Sequence, residues 1–337
     1  MFACNNKISN RQLQILIISN AIGIGIISIP QILFGSSIIN LVGLLILILG
    51  IIFLASKKNY NSEDFLASLQ KKIGPYPTKI LLSFLLAKII LTSAWQLKLF
   101  SDIVKIYVLP KTPSYIVISI LILTSSYLIS KGYEVRARLS EILIWLIILP
   151  LAIVFFITIF DIKSLPKIDL RITPAKIFES VFVFSQLDYL FLYKPFGKKN
   201  SRKKILSAVI FSWLAILLLT FILKLKINFQ TPYPIIKLMS ITDIPGGLIQ
   251  NYDFFIISFI IITFFSLSAS SIFFSSWLFK FLGIKKFHIP ICATLIFLSS
   301  MLPKNFSCNL IYILGTFFYF VFPLLISIAG KKAGGPH

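Results

Sequence analysis

Asp188 is the residue through which this chain could do the most chemistry. It lies near the middle of an expected span, 174–193, in the stretch Phe182-Val183-Phe184-Ser185-Gln186-Leu187-Asp188-Tyr189. A carboxylate surrounded by hydrocarbon is costly and is usually functional. Two roles suit it: accepting from a bound ammonium, or pairing with a lysine of another helix. Phe184 and Gln186 stand within about one helical turn of it. A second unusual stretch reads Asn20-Ala21-Ile22-Gly23-Ile24-Gly25-Ile26-Ile27-Ser28-Ile29-Pro30. Glycine weakens a helix and proline removes a backbone donor. One reading is a helix break that offers free amides to a solute at Gly23, Gly25, Ile26 and Ser28, where a half-helix N-terminus would favour an anion. The other is that Gly23 and Gly25 let a second helix approach closely.

Further polar residues interrupt apolar runs. Lys88 lies about ten residues, or roughly 15 Å, into its run. It would partner Asp188 or an ion site, or else sit near an interface on a long, tilted helix. Ser266 and Ser270 belong to a hydroxyl-rich run with Thr263, Ser268, Ser271, Ser275 and Ser276. Such a run lines a polar path or packs helices closely. Glu134, Arg138 and Glu141 share one helix face by spacing. They read as a gate or docking surface, or as an ordinary interfacial ion-pair cluster. Lys98 and Asp102, four apart, read as a solvated pair. Catalytic constellations are missing: the two histidines, His288 and His337, stand in loop or terminal positions, and there is no Ser/His/Asp set and no phosphate-binding Gly-Lys-Ser/Thr loop. Cys4, Cys292 and Cys308 have no pair or metal spacing. No enzyme activity, metal or cofactor is expected.

The elements that must position these residues follow from composition. Of 337 residues, 57% are hydrophobic and 13% charged, and mean hydropathy is +0.93. A soluble chain is about 45–50% apolar and about 25% charged, so the medium is lipid. The apolar runs are near-continuous, which excludes the alternating strands of an outer-membrane barrel and fits spanning helices of about 20 residues. Ten spans are expected: 11–33, 36–56, 78–101, 113–130, 139–160, 174–193, 205–224, 254–279, 287–303 and 309–330. With both termini cytoplasmic, the inner segments hold 21 Lys+Arg and the outer ones 9, with three inside helices, as the positive-inside rule requires. That bias also explains the net charge of +22 without nucleic acid. Residues 59–73 have the spacing of an interfacial amphipathic helix, and 225–252 form a long outer loop. The expectation is one integral membrane domain over 1–332, with repeats of about 11–160 and 174–330, and a flexible tail over 333–337.

Four stretches resemble the membrane-embedded B subunit of spore germinant receptors (GerAB-type), within the amino acid–polyamine–organocation transporter superfamily. They are Ile8-Ser9-Asn10-Arg11-Gln12-Leu13 followed by Ile22-Gly23-Ile24-Gly25-Ile26 and Pro30, Leu109-Pro110-Lys111-Thr112-Pro113, Lys131-Gly132-Tyr133-Glu134-Val135-Arg136-Ala137-Arg138-Leu139-Ser140-Glu141, and Phe184 to Phe196. The third is similar to the family's Gly-x-Glu-x-x-Ala-Arg-x-x-Glu. The fourth departs from it, having Gln186–Asp188 where the family usually carries a Gly and a Glu. The resemblance implies an all-α polytopic fold with a LeuT-like 5+5 inverted repeat. It implies a small nutrient, an amino acid, bound at mid-membrane, with the first-helix break meeting its carboxylate and Asp188 its ammonium. It also implies an A subunit and a C-subunit lipoprotein as partners, in the spore inner membrane. On the same fold, an ion-coupled secondary amino acid transporter is the alternative.

Overall fold

In the computed structural model of the chain, the described residues are 8–33, 73–160, 201–226, 253–284 and 286–303, with isolated positions elsewhere up to Phe318. The expected spans 36–56 and 174–193, the interfacial helix over 59–73, the loop 225–252 and the tail fall wholly or almost wholly outside them. Phe184, Gln186 and Asp188 therefore lie outside the described residues.

Seven helices stand among the described residues: α1 (Asn10–Leu33), α2 (Pro75–Tyr107), α3 (Ser114–Ser130), α4 (Tyr133–Phe160), α5 (Ser201–Lys226), α6 (Asp253–Leu282) and α7 (His288–Ser300). They coincide with seven of the ten expected spans. The chain is all-helical there, as the apolar runs predict. Pro75–Tyr107, Leu206–Leu223 and Ile257–Leu282 are long and apolar enough to cross a membrane, and Ser114–Ser130 and His288–Ser300 are shorter apolar helices. Large apolar side chains lie bare on α3 and α4, among them Ile120, Leu123, Tyr127, Ile142, Trp145 and Phe156. A surface of that kind is stable only against lipid or another apolar partner. This is a membrane protein.

Helix ends follow local sequence rules. Ser9 and Gln12 make a reciprocal capping box: Ser9 N donates to Gln12 Oε1 at 3.0 Å, and Gln12 N to Ser9 Oγ at 3.1 Å. Two of the orphan amides of α1 are thereby satisfied. Pro75 opens α2 after Gly74 at φ 95°, since proline fits a first helical turn. The α3–α4 corner is only Lys131-Gly132, with Gly132 at φ 106°. An L side chain is strained at that dihedral, although a Cβ there would touch nothing within 4 Å. Gly132→Ala is therefore expected to cost about 1–2 kcal/mol of purely conformational energy. Thermal unfolding in detergent checks this, and an unchanged midpoint would refute it.

Two expectations change. The chain does not break in its first span: α1 is one helix through Gly23, Gly25 and Pro30. The free amides anticipated over Gly23–Ser28 are consumed within it. The fifth span begins earlier than expected, at Tyr133 rather than 139, because Tyr133 and Ala137 are buried and extend the apolar face by a turn and a half.

α6 is the central helix. It packs against α1, α2, α3, α4 and α7, while α1 lies on α5 as well as on α4 and α6. The core side chains Phe259, Phe264, Leu267, Phe274 and Leu278 of α6 are fully buried. The hydroxyls of the same helix are thus carried into the middle of the bundle.

Candidate functional site

α1 and α6 meet along a seam of small and polar residues. Gly23 faces Thr263 so closely that a Cβ on the glycine would overlap the Thr263 Cγ2 methyl. Toward the start of α1, Ser19 Oγ lies 3.4 Å from Ser266 Oγ. Asn20 Nδ2 donates to Ser270 Oγ at 2.8 Å. Ser266 Oγ donates to Asn20 Oδ1 at 3.3 Å, and the Ser270 proton has two acceptors in reach at 3.0 Å, Asn20 Oδ1 and the Ser266 carbonyl. Rising numbers on α1 meet falling numbers on α6, so the pair is antiparallel. Close backbone approach and interhelical hydrogen bonds are the usual ways helices associate in lipid. Gly23 thus makes the close approach that was one of its two readings.

Arg136 enters this seam from the first turn of α4. Its guanidinium is 2% exposed. Nη2 donates to the Ser266 carbonyl at 3.2 Å and to the Ser270 hydroxyl. Its Cζ stands 5.8 Å from the Tyr133 ring centroid, and Tyr133 in turn stacks on Phe273 at 4.0 Å. Nη1 is buried, with no hydrogen-bond partner among the described residues. Arginine stays protonated in proteins, so a full positive charge sits among neutral acceptors.

More buried hydrogen-bonding capacity lies nearby. Gln96 of α2 is 2% exposed, and neither amide atom has a partner among the described residues. The same holds for the hydroxyls of Thr92 and Ser93 on α2 and of Thr263, Ser268 and Ser275 on α6. Other hydroxyls of the serine run are spent within their own helix, as Ser276 on the Phe273 carbonyl at 2.9 Å. Lys88 is fully buried inside α2, a helix of 33 residues.

The acidic residues of α4 form ion pairs. Arg138 meets Glu134 at 2.6 Å across one turn. Glu141 instead reaches Arg11 of α1 at 3.8 Å, with the arginine side chain 79% exposed. Exposed pairs of this kind contribute about 0–1 kcal/mol. Lys98 does not pair as its spacing suggested: Nζ donates to the Leu302 carbonyl just past α7, at 2.7 Å. Beyond the end of α2, burial first and then the Asp102 and Tyr107 charges push the Tyr233 phenol up to about 12.

Ser266 and Ser270 were anticipated as site residues, and the structure brings them together with Gly23 in one seam. Gly25 is buried farther along α1, while the side chains of Ile26 and Ser28 lie outside the described residues. Glu134, Arg138 and Glu141 stand apart from the seam's hydrogen bonds. Sequence reasoning missed Asn20 and Arg136. The available signal was Ser19-Asn20, a polar pair inside an apolar helix, and an arginine two residues from Arg138, which puts it on a different side of the helix.

A family model described as spore germination protein matches residues 7–308. This chain belongs to that spore permease family. The assignment agrees with the four stretches that resemble germinant-receptor B subunits, and the seam draws on two of them: Gly23 comes from the first and Arg136 from the third. The chain is also similar to the spore germination protein YndE of Bacillus subtilis (strain 168), 25% identical over 374 aligned residues that cover 98% of each protein. The family is of a permease type rather than an enzyme family, and its role is in germination at a membrane.

Proposed function

We propose that the chain is the membrane subunit of a spore germinant receptor, binding a small nutrient of the amino acid class within the bundle and signalling through partner subunits. The observation that carries the reading is the buried polar seam of Asn20, Ser266, Ser270 and Arg136 in a chain of the spore permease family. Buried polar groups that exceed their partners are what a solute site needs. The completed fold is ten spans in a 5+5 inverted repeat, with both termini cytoplasmic, in the spore inner membrane. The ligand sits between the first and sixth spans, against Gly25, Ile26 and Ser28 on one side and Phe184 and Gln186 on the other. Asp188 accepts from its ammonium. An A subunit and a C-subunit lipoprotein read the resulting population shift.

Two experiments test this. In sealed proteoliposomes, labelled amino acids should bind saturably, at no more than one per chain and without accumulation. Accumulation driven by an ion gradient would establish the ion-coupled transporter instead, for which the fully buried Lys88 is a suitable proton-coupling group. Asp188→Asn should abolish the ligand response while the folded protein stays in the membrane. An unchanged dose response would remove Asp188 from the site.

A further inference from the structure

We infer that Arg136 forms a buried anion subsite for a small carboxylate, shared with Ser266 and Ser270 of α6 and Asn20 of α1. The inference rests on the proposed nutrient reading and supplies what the continuous α1 withdrew, a group to receive the carboxylate.

Charge balance makes the first argument. Arg136 is 2% exposed and permanently cationic. A buried cation is stable only when it is paired or richly hydrogen-bonded. Of the acidic residues, the described ones are Asp102, Glu134, Glu141 and Asp253. Glu134 is engaged by Arg138 and Glu141 by Arg11. Asp102 lies within α2, and its charge acts on Tyr233. Asp253 opens α6, thirteen residues, or about 20 Å, before Ser266. No carboxylate among the described residues meets Arg136.

Geometry makes the second. Nη2 is held by the Ser266 carbonyl and the Ser270 hydroxyl, which fixes the plane of the guanidinium. Nη1, in the same plane, is buried and meets no acceptor among the described residues. A planar fork with one arm anchored and the other open is the arrangement that receives a carboxylate oxygen. The adjacent hydroxyls of Ser19 and Ser266 lie 3.4 Å apart; they donate to the Leu16 carbonyl and to Asn20 Oδ1, and a bound carboxylate oxygen would draw one of these protons away.

The test uses the full chain, purified in lipid nanodiscs, with its unfolding temperature followed at constant ionic strength. Sodium acetate replaces sodium gluconate, and acetamide serves as the neutral isostere. Acetate should raise the midpoint saturably, by a few degrees, and acetamide should not. Arg136→Gln should weaken the acetate effect by about tenfold or more, the loss of a charge-assisted bond. Should that variant not fold, the acetate–acetamide comparison on the unaltered chain decides alone. Equal responses to acetate and acetamide, or an acetate response that survives Arg136→Gln, would overturn the inference. So would saturation by chloride without any effect of acetate. No response to any anion would mean that the chain balances Arg136 itself, which also overturns it. Acetate binding without any amino acid binding would leave the anion subsite standing and refute the nutrient reading.

Discussion

Ser270→Ala is expected to destabilise the folded chain by about 2–4 kcal/mol. The hydroxyl accepts from both Arg136 Nη2 and Asn20 Nδ2, and all three residues are buried. Removing it takes an acceptor away from two donors, one of them charged. A bond to a charged group contributes about 1.5–3 kcal/mol, and an orphaned buried donor costs about as much again as an ordinary bond. The control is Ser212→Ala on α5, whose buried hydroxyl bonds, among the described residues, only the Ala208 carbonyl one turn back. That change should stay within about 1 kcal/mol. Reversible denaturation in mixed micelles gives both numbers. Equal losses at the two positions would show that the seam carries no special energy.

The second large effect belongs to Gly23. A β-carbon there collides with the Thr263 methyl, so Gly23→Ala should cost about 1–3 kcal/mol, the usual range for overpacking. Thr263→Ser removes the offending methyl and keeps the hydroxyl. The double variant should recover most of the loss, giving a coupling energy above about 1 kcal/mol. Additive effects would mean that the two helices do not meet at these residues.

Much of the fold was legible because lipid enforces one rule. Every backbone group must be satisfied within its segment, so a long apolar run is a helix. The seven described helices stand where such runs stand. Finer features depended on contacts that a single sequence does not display. Gly23 and Gly25 lower helix propensity by only about 1 kcal/mol each, too little to break a helix whose faces are buried on α5 and α6. Local spacing therefore left two readings open, a break and a close helix approach, and packing selects the second. Glu141 and Lys98 show the same limit: spacing of three or four residues names a candidate partner on the same helix, yet Glu141 meets Arg11 of α1 and Lys98 the Leu302 carbonyl past α7. The seam itself was half visible. Its serines were evident as a run, but only the antiparallel register of α1 on α6 selects Ser266 and Ser270 from the seven hydroxyls. Arg136 was masked by its neighbours, since two arginines and two glutamates close together suggest a solvated face.

α1 runs unbroken for 24 residues, about 36 Å at the rise of an α-helix, and this makes it a rod. Nine residues separate Asn20, in the buried seam, from Arg11 at the far end, a lever arm of roughly 13 Å. Both ends of that arm are tied to α4: directly through Arg11 and Glu141, and through Ser270 to Arg136. Two fastenings on one rigid bar resist sliding and separation but leave tilting soft, because the outer one is a weak exposed ion pair. A displacement of an ångström at Asn20 would be delivered to the surface at Arg11 with little loss. A helix broken at Gly23 could not have carried that leverage into the second half of α1.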